Sequence, residues 1–432
     1  MTEKRGEFSP DFQQMNIRRD LYLDRLIDHK HNGMIKIISG IRRCGKSYLL
    51  FELFRQHLLD EGVPPERIIM LALDDRREAK YRDPDACYAY VEEHMHGKQM
   101  HYLLLDEVQL MDDFESVLNG LLRKRNLDIY VTGSNSRFLC TDVITEFRGR
   151  GDEIRVFPLS FAEFYSVHRG DWPEAWKEYS TFGGMPFILH HKKDSDKINY
   201  LQNLFRETYI KDLIERNRLR NTEELDELVN IIASGISCLT NPHKLANAFQ
   251  SIKRMSLSEN TVRQYLEYMQ DAFLVQRAMR YDIKGKRYIN SPCKYYFADV
   301  GLRNARLNFR QRDPGHIMEN VIYNELISRG YHVDTGAVDV YEKREDDSTY
   351  ARKRTEVDFV VNQGSTRYYI QSTLEMPTQD KQRQESRPLC KINDSFKKII
   401  ITQSDIYAYH NEDGILIMSL KDFLLHRHSL DE

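Results

Sequence analysis

The residues best equipped for chemistry stand together early in the chain, at Gly40-Ile41-Arg42-Arg43-Cys44-Gly45-Lys46-Ser47-Tyr48. The first eight fit G-x-x-x-x-G-K-[ST] at each fixed position, after the apolar run 34–39 and before a helix-period run that starts at Tyr48. Two glycines let a backbone curl until successive N–H groups face a phosphate, and a helix starting there adds free N–H groups and its dipole. In this reading Lys46 reaches the β- and γ-phosphates of a nucleoside triphosphate, and the Ser47 hydroxyl is a ligand of Mg2+. Cys44, beside Arg43 and near Lys46, is either a thiol tuned towards thiolate or an inert packing atom.

The carboxylates that such chemistry needs come next. Tyr102-Leu103-Leu104-Leu105 runs straight into Asp106-Glu107, which reads as a buried parallel strand with two acids at its C-terminal end. Ligands of open α/β sheets bind at that end, so Asp106 is expected opposite Ser47 on Mg2+ and Glu107 is expected to polarise the attacking water. A further strand, 127–132, ends in Gly133-Ser134-Asn135. Ser134 and Asn135 either sense the γ-phosphate or cap a helix. Arg148 and Arg150 precede the strand expected over 154–159; either one reaches a neighbouring subunit's nucleotide as an arginine finger, or both are surface residues of a Gly-rich turn.

The elements around these residues form an α/β protein, with five strands and intervening helices making a parallel sheet. The segments 34–50, 102–109 and 130–139, with Phe157-Pro158-Leu159-Ser160-Phe161 and Phe182-Gly183-Gly184-Met185-Pro186, resemble bacterial and archaeal AAA-type ATPases that carry a C-terminal domain of unknown function. The resemblance runs from about Arg18 to about Leu425. It implies a P-loop core, a helical lid, a winged-helix module and a nuclease-like C-terminal domain, expected here over 1–168, 169–235, 236–290 and 291–432.

The rest of the chain reads the same way from its residues. Helix faces recur through 201–213 and 225–232, and Ser258 caps a helix with Val262, Tyr265, Leu266 and Met269 inward. Strands 273–277 and 286–289 are expected to pair through Lys284-Gly285 as a basic wing. The basic set is Lys253, Arg254, Arg263, Arg277, Arg280, Lys284, Lys286 and Arg287, and it serves either DNA phosphates or docking on an acidic protein surface. Further on, Glu319 on a helix, Asp358 on a strand, and Gln371 and Thr373 on the next follow the order of restriction-endonuclease-like sites. There, acids hold Mg2+ and a lysine helps activate water; here an amide and a hydroxyl replace the expected Glu and Lys. The site is expected to be degenerate. Strands are expected at 338–341, 356–361 and 368–373, with a charged loop over 342–354.

Composition sets the limits. Of 432 residues, 63 are Lys or Arg and 66 Asp or Glu, a net charge of −3, so attraction to nucleic acid must come from local patches. No apolar run suits a membrane span or a signal peptide, and six scattered cysteines without a C-x-x-C pair indicate neither disulfides nor zinc. The expectation is a cytosolic, Mg2+-dependent ATPase whose nucleotide state moves its other domains, with DNA, further copies of itself or a protein as partner. Its rivals are an ATP-powered DNA nuclease and a slow nucleotide switch that recruits a protein.

Overall fold

Five short strands, β1 (Ile35–Ser39), β2 (Ile68–Ala72), β3 (His101–Asp106), β4 (Leu127–Gly133) and β5 (Gly151–Arg155), pair in parallel in the order β2-β3-β4-β1-β5. The computed structural model describes residues 17–134, 149–219, 222–253, 257–343 and 350–431. Strands β1, β3 and β4 are buried along their whole length, as expected of a sheet covered on both faces. Because all five strands run one way, Ser39, Asp106 and Gly133 arrive at the same sheet edge, with β4 between the strands that carry the phosphate loop and the acids. β5 lies a few residues before its apolar run and ends ahead of Pro158, which has no N–H for a ladder. The opposite edge is tied by Lys36 on β1, which is fully buried against Asp128 on β4, itself hydrogen-bonded by the Tyr130 hydroxyl at 2.9 Å.

The chain divides after Ala175, and the second unit is mixed. Helices Asp194–Leu204, Lys211–Asn217, Thr222–Ser234 and Pro242–Lys253 precede Glu259–Asp271. The Ser258 hydroxyl accepts from the Thr261 N–H and caps that last helix, which buries Val262, Tyr265, Leu266 and Met269 as its spacing predicts. Eight strands follow: β6 (Val275–Asp282), β7 (Arg287–Phe297), β8 (His332–Lys343), β9 (Tyr350–Gln363), β10 (Thr366–Thr373), β11 (Lys397–Thr402), β12 (Tyr409–His410) and β13 (Leu416–Ser419). They form one sheet in the order β12-β13-β11-β10-β9-β8-β6-β7. β10 pairs antiparallel with β9 and parallel with β11. Its core gathers Ile283, Val338, Val357, Tyr369, Ile400 and Ile417.

Three expectations change here. The basic hairpin is longer than 273–289 suggests: Val275 pairs with Phe297, and β6 also pairs in parallel with β8 from Arg280 to Asp282. The hairpin is therefore part of the C-terminal sheet, and the division expected at 290/291 falls inside β7. Of the charged loop expected over 342–354, residues 342–343 and 350–354 are strand, since β8 and β9 stay in register to Lys343 and Tyr350. Ladder hydrogen bonds need no apolar side chains, so a charged hairpin leaves no hydropathy signal. Among the described residues, no helix is long and apolar enough to cross a membrane.

The Gly183-Gly184 signature has a packing cause. Gly183 has φ 73°, and a Cβ there would lie 2.2 Å from an oxygen of Asp299. Asp299 accepts from the N–H of Gly184 at 2.6 Å and of Leu302 at 2.9 Å, so one carboxylate joins two helix ends. Gly301 completes the joint, because a Cβ there would sit 1.9 Å from the Phe182 carbonyl oxygen.

Candidate functional site

The phosphate loop leaves β1 in a conformation few residues adopt. Gly40 has φ 139°, Arg43 φ 64° and Gly45 φ 99°, and a Cβ on Gly40 would stand 2.1 Å from the Val156 carbonyl oxygen. The helical run that follows starts at Lys46 and widens into a π-turn over Leu49–Phe54. Lys46 is 4 % exposed, and its Nζ donates to the carbonyls of Gly40 at 3.0 Å and Ile41 at 3.1 Å, so its ammonium lies across the loop. Ile41 is buried, Arg42 half-buried, and Arg43 and Ser47 are exposed. Tyr48 is half-buried on the helix; burial and then Glu52 raise its hydroxyl pKa.

Ser47 and Asp106 meet by a hydrogen bond, and the Thr132 hydroxyl donates to the same carboxylate at 2.5 Å. Burial pushes the Asp106 carboxyl above its usual range, against both hydroxyls, and the negative charges of Glu107 and Asp74 push the same way. Both oxygen-bearing side chains are hard ligands of the kind Mg2+ takes, and neither is tied to a cation in the loop, so the donor set fits that ion. Glu107 begins the turn after β3 in the left-handed region, φ 51°, and its N–H donates to the Thr132 hydroxyl at 2.9 Å. The Glu107 carboxylate accepts from the Ser134 hydroxyl at 3.1 Å and from the Gln109 amide. Ser134 therefore stands at the acids, while Asn135 and Arg148 lie outside the described residues.

Two expected contributors are elsewhere. Arg150 is exposed at the start of β5, and its carbonyl accepts from the Ile35 N–H, at the sheet edge opposite the phosphate loop. Strand register rules it out of its own chain's site. The Cys44 thiol is fully buried and donates to the Val156 carbonyl at 3.5 Å, so it packs away from the cradle. Sequence reasoning missed Arg19, whose buried guanidinium donates to the carbonyls of Cys44 at 3.0 Å and Phe157 at 2.7 Å and pairs with Glu163 at 2.9 Å. It also missed Thr132 and Gln109, whose only signal is a polar residue within or just beyond an apolar strand.

In the second unit, Glu319 and Asp358 do share a cluster, but not the expected one. Lys294 of β7 is 3 % exposed and its ammonium contacts Glu319 at 2.7 Å and Glu356 at 2.5 Å. The Tyr296 hydroxyl donates to Glu319 at 2.7 Å. Asp358 accepts from the N–H and hydroxyl of Ser372 at 2.8 and 2.7 Å. Gln371 accepts from the Asp358 N–H at 3.4 Å, and Thr373 turns to the Glu375 carbonyl, past the end of β10. The site does contain a lysine, then, delivered by a strand outside the expected motif; a Lys in the buried stretch 293–297 was its signal. Burial alone would depress the Lys294 ammonium, but Glu319, Asp358 and Glu356 outweigh it and hold the pKa above its ordinary value. Burial pushes the Glu319 carboxyl up to about 7 despite Lys294. Among the described residues, no three His, Cys, Asp or Glu side chains converge as a metal site.

The basic set is split. Lys284, Lys286 and Arg287 are exposed together at the β6–β7 turn with Tyr288. Arg263 and Arg277 instead line a cleft of about 500 Å³ between helix Glu259–Asp271 and the hairpin, and the partly buried Arg280 faces Glu356. The side chains of Lys253 and Arg254 lie outside the described residues.

Comparison with known proteins matches residues 32–165 to an AAA domain, 173–313 to a domain of unknown function (DUF8612) and 314–423 to another (DUF4143). An uncharacterized protein of Haemophilus influenzae is 31 % identical over 415 residues, covering 95 % of this chain and 98 % of that protein. One from Methanocaldococcus jannaschii is 29 % identical over 384 residues, covering 85 % and 80 %. Among solved structures, the Aeropyrum pernix ORC1 protein in complex with DNA aligns with 69 % of this chain and 94 % of its own, at 11 % identity and a TM-score of 0.29, too loose a likeness to bear on function.

Proposed function

The chain belongs to the AAA-type P-loop ATPases that carry C-terminal domains of unknown function, and we propose that it binds ATP with Mg2+ and hydrolyses it. One observation carries this reading: among the described residues, a buried Lys46 ammonium is hydrogen-bonded to loop carbonyls, beside an Asp106 carboxylate that accepts from the hydroxyls of Ser47 and Thr132. Such partners are neutral and exchangeable. The phosphates of ATP would take the place of the Gly40 and Ile41 carbonyls on Lys46, while the loop N–H groups of residues 41–48 surround them. Ser47 and Asp106 would hold Mg2+, which supplies positive charge to the phosphate oxygens when bound. Glu107 would draw a proton of the attacking water towards its carboxylate. Arg150, distant from its own loop, would act only on a neighbouring copy's nucleotide, which makes turnover depend on assembly.

We further propose that the exposed turn with Lys284, Lys286 and Arg287 contacts nucleic-acid phosphates, a reading favoured by three cations and an exposed Tyr288 within five residues. The Lys294-centred cluster is proposed as structural rather than nucleolytic, since its acids are already matched to an ammonium.

Steady-state ATP turnover tests the whole reading, measured over a range of protein concentrations and with duplex DNA across a salt series. Lys46→Ala should lose nucleotide binding, and Glu107→Gln should bind ATP but turn it over about a hundredfold more slowly or worse. Wild-type turnover by Glu107→Gln would displace Glu107 from its role. Specific activity that stays flat on dilution to monomer would remove Arg150 from catalysis. DNA binding that persists in a Lys284, Lys286 and Arg287 triple alanine variant, with its salt dependence unaltered, would move nucleic-acid contact elsewhere.

A further inference from the structure

Gln109 has no part in the reaction described above, yet its side chain is committed to that site. It sits on the short turn Val108–Leu110, and its amide Nε2 donates to Glu107 Oε2 and lies 3.4 Å from the Ser134 hydroxyl. Ser134 in turn gives its proton to the same Glu107 oxygen at 3.1 Å. The amide oxygen of Gln109 is buried and has no hydrogen-bond partner among the described residues. Turning the amide over would satisfy nothing, because Oε1 would then face the Glu107 carboxylate. A buried acceptor without a donor is a standing cost to folding, so stability alone does not account for this residue.

We propose that Gln109 is a positioning residue, which with Ser134 holds the Glu107 carboxylate in the orientation from which it acts on water. The inference rests on Glu107 being the water-polarising group. Three observations support it beyond the contact itself. Glu107 leaves the strand from a left-handed residue whose N–H is fixed by Thr132, so the start of its side chain is set and only its rotamers remain free. Gln109 and Ser134 both bond Oε2, which leaves Oε1 to accept from a water. A hydroxyl has one proton, and if Ser134 turns that proton to a phosphate oxygen, Glu107 keeps its orientation only through Gln109. The amide is therefore the anchor that survives nucleotide binding.

The test is a double-mutant cycle on the full chain, reading kcat, KM for ATP, affinity for a non-hydrolysable ATP analogue and thermal midpoint. Gln109→Ala should lower kcat about tenfold to a hundredfold, the size of effect a misplaced catalytic group produces, with KM and analogue affinity within about twofold of wild type. Gln109→Glu keeps the volume but loses the donor, and should fall by at least as much, which guards against a cavity artefact. In a Glu107→Gln background, measured by single turnover with enzyme in excess, adding Gln109→Ala should change nothing further. An unchanged or raised kcat in Gln109→Ala, or the same fold loss in both backgrounds, overturns the proposal. Full turnover by Glu107→Gln alone would instead sink the role of Glu107, a separate result.

Discussion

Asp106, at the end of β3, and Glu319, on the helix Pro314–Ser328, are both buried carboxylates, and burial pushes both above the usual range, but they are stabilised by different means. Asp106 accepts from two hydroxyls, of Thr132 and Ser47. Glu319 accepts from the Lys294 ammonium and the Tyr296 hydroxyl, and the same ammonium also binds Glu356. A hydroxyl can rotate and hand a carboxylate to an incoming cation. A buried ammonium cannot leave without stranding the acids around it. The contrast separates a site built to receive charge from one that has satisfied its charge internally, although sequence alone shows acids in both.

The sharpest way to break the comparison is to neutralise one acid in each site. Asp106→Asn should reduce ATP turnover about a hundredfold to a thousandfold, the range seen when a preorganised charge is lost from an active site. Asp358→Asn should leave turnover as it is. The same pair should be incubated with supercoiled plasmid, Mg2+ or Mn2+, and ATP. Nicking by the wild type that vanishes in Asp358→Asn would show that the second cluster does chemistry, and the division drawn here would fail.

A smaller effect concerns stability. Lys294→Met keeps much of the side-chain length but leaves Glu319 and Glu356 without their cation, at a cost of about 3–5 kcal/mol in chemical denaturation of the full chain. Replacing both acids as well, in Lys294→Met with Glu319→Leu and Glu356→Gln, should recover much of that loss, because no acid is then left without its counter-charge. If the single variant unfolds at the wild-type midpoint, the ion pairs are not what holds the cluster together.

These contrasts also show what the sequence made legible. The phosphate loop and Asp106-Glu107 are local patterns, and both come out where their flanking runs put them, at one edge of a parallel sheet. The helix capped by Ser258 is legible for the same reason, its apolar spacing and cap being contiguous. Partners across strands are not local. Thr132 and Gln109 are ordinary polar residues until β3 and β4 are paired, and Lys294 reads as a stray cation until β7 curls against Glu319. Arg150 needs the same pairing to be placed: parallel register puts it at the end of the sheet away from its own loop, which leaves both its readings, a residue acting on a neighbouring copy and a surface arginine, as the sequence had them. The long β8–β9 hairpin escapes notice because backbone ladders, not apolar residues, carry it past the core.

The smallest predicted effect is a pH dependence that belongs to Glu319. Burial raises its carboxyl from an ordinary 4.5 to about 7 in the folded chain, with Lys294 and Tyr296 bonded to it and His316 at 3.9 Å. Between those values the folded state holds a proton that the unfolded chain has released, so unfolding sheds a proton and stability falls as pH rises through the window. Above about 7 both states are ionised and the contribution is level. Asp299, which burial raises to about 6, adds a slope of the same sign, so the wild-type curve alone cannot isolate Glu319. The difference between wild type and Glu319→Gln can. The amide keeps an acceptor for Lys294 and Tyr296 but has no proton to exchange, so it removes this part of the slope and leaves that of Asp299 in place. The two denaturation free energies should therefore diverge by about 1–3 kcal/mol between pH 4.5 and 7, with wild type losing more as pH rises. Parallel curves across that range would mean that Lys294 keeps Glu319 ionised throughout, and that the buried pair behaves as a fixed charge couple rather than as a titrating acid.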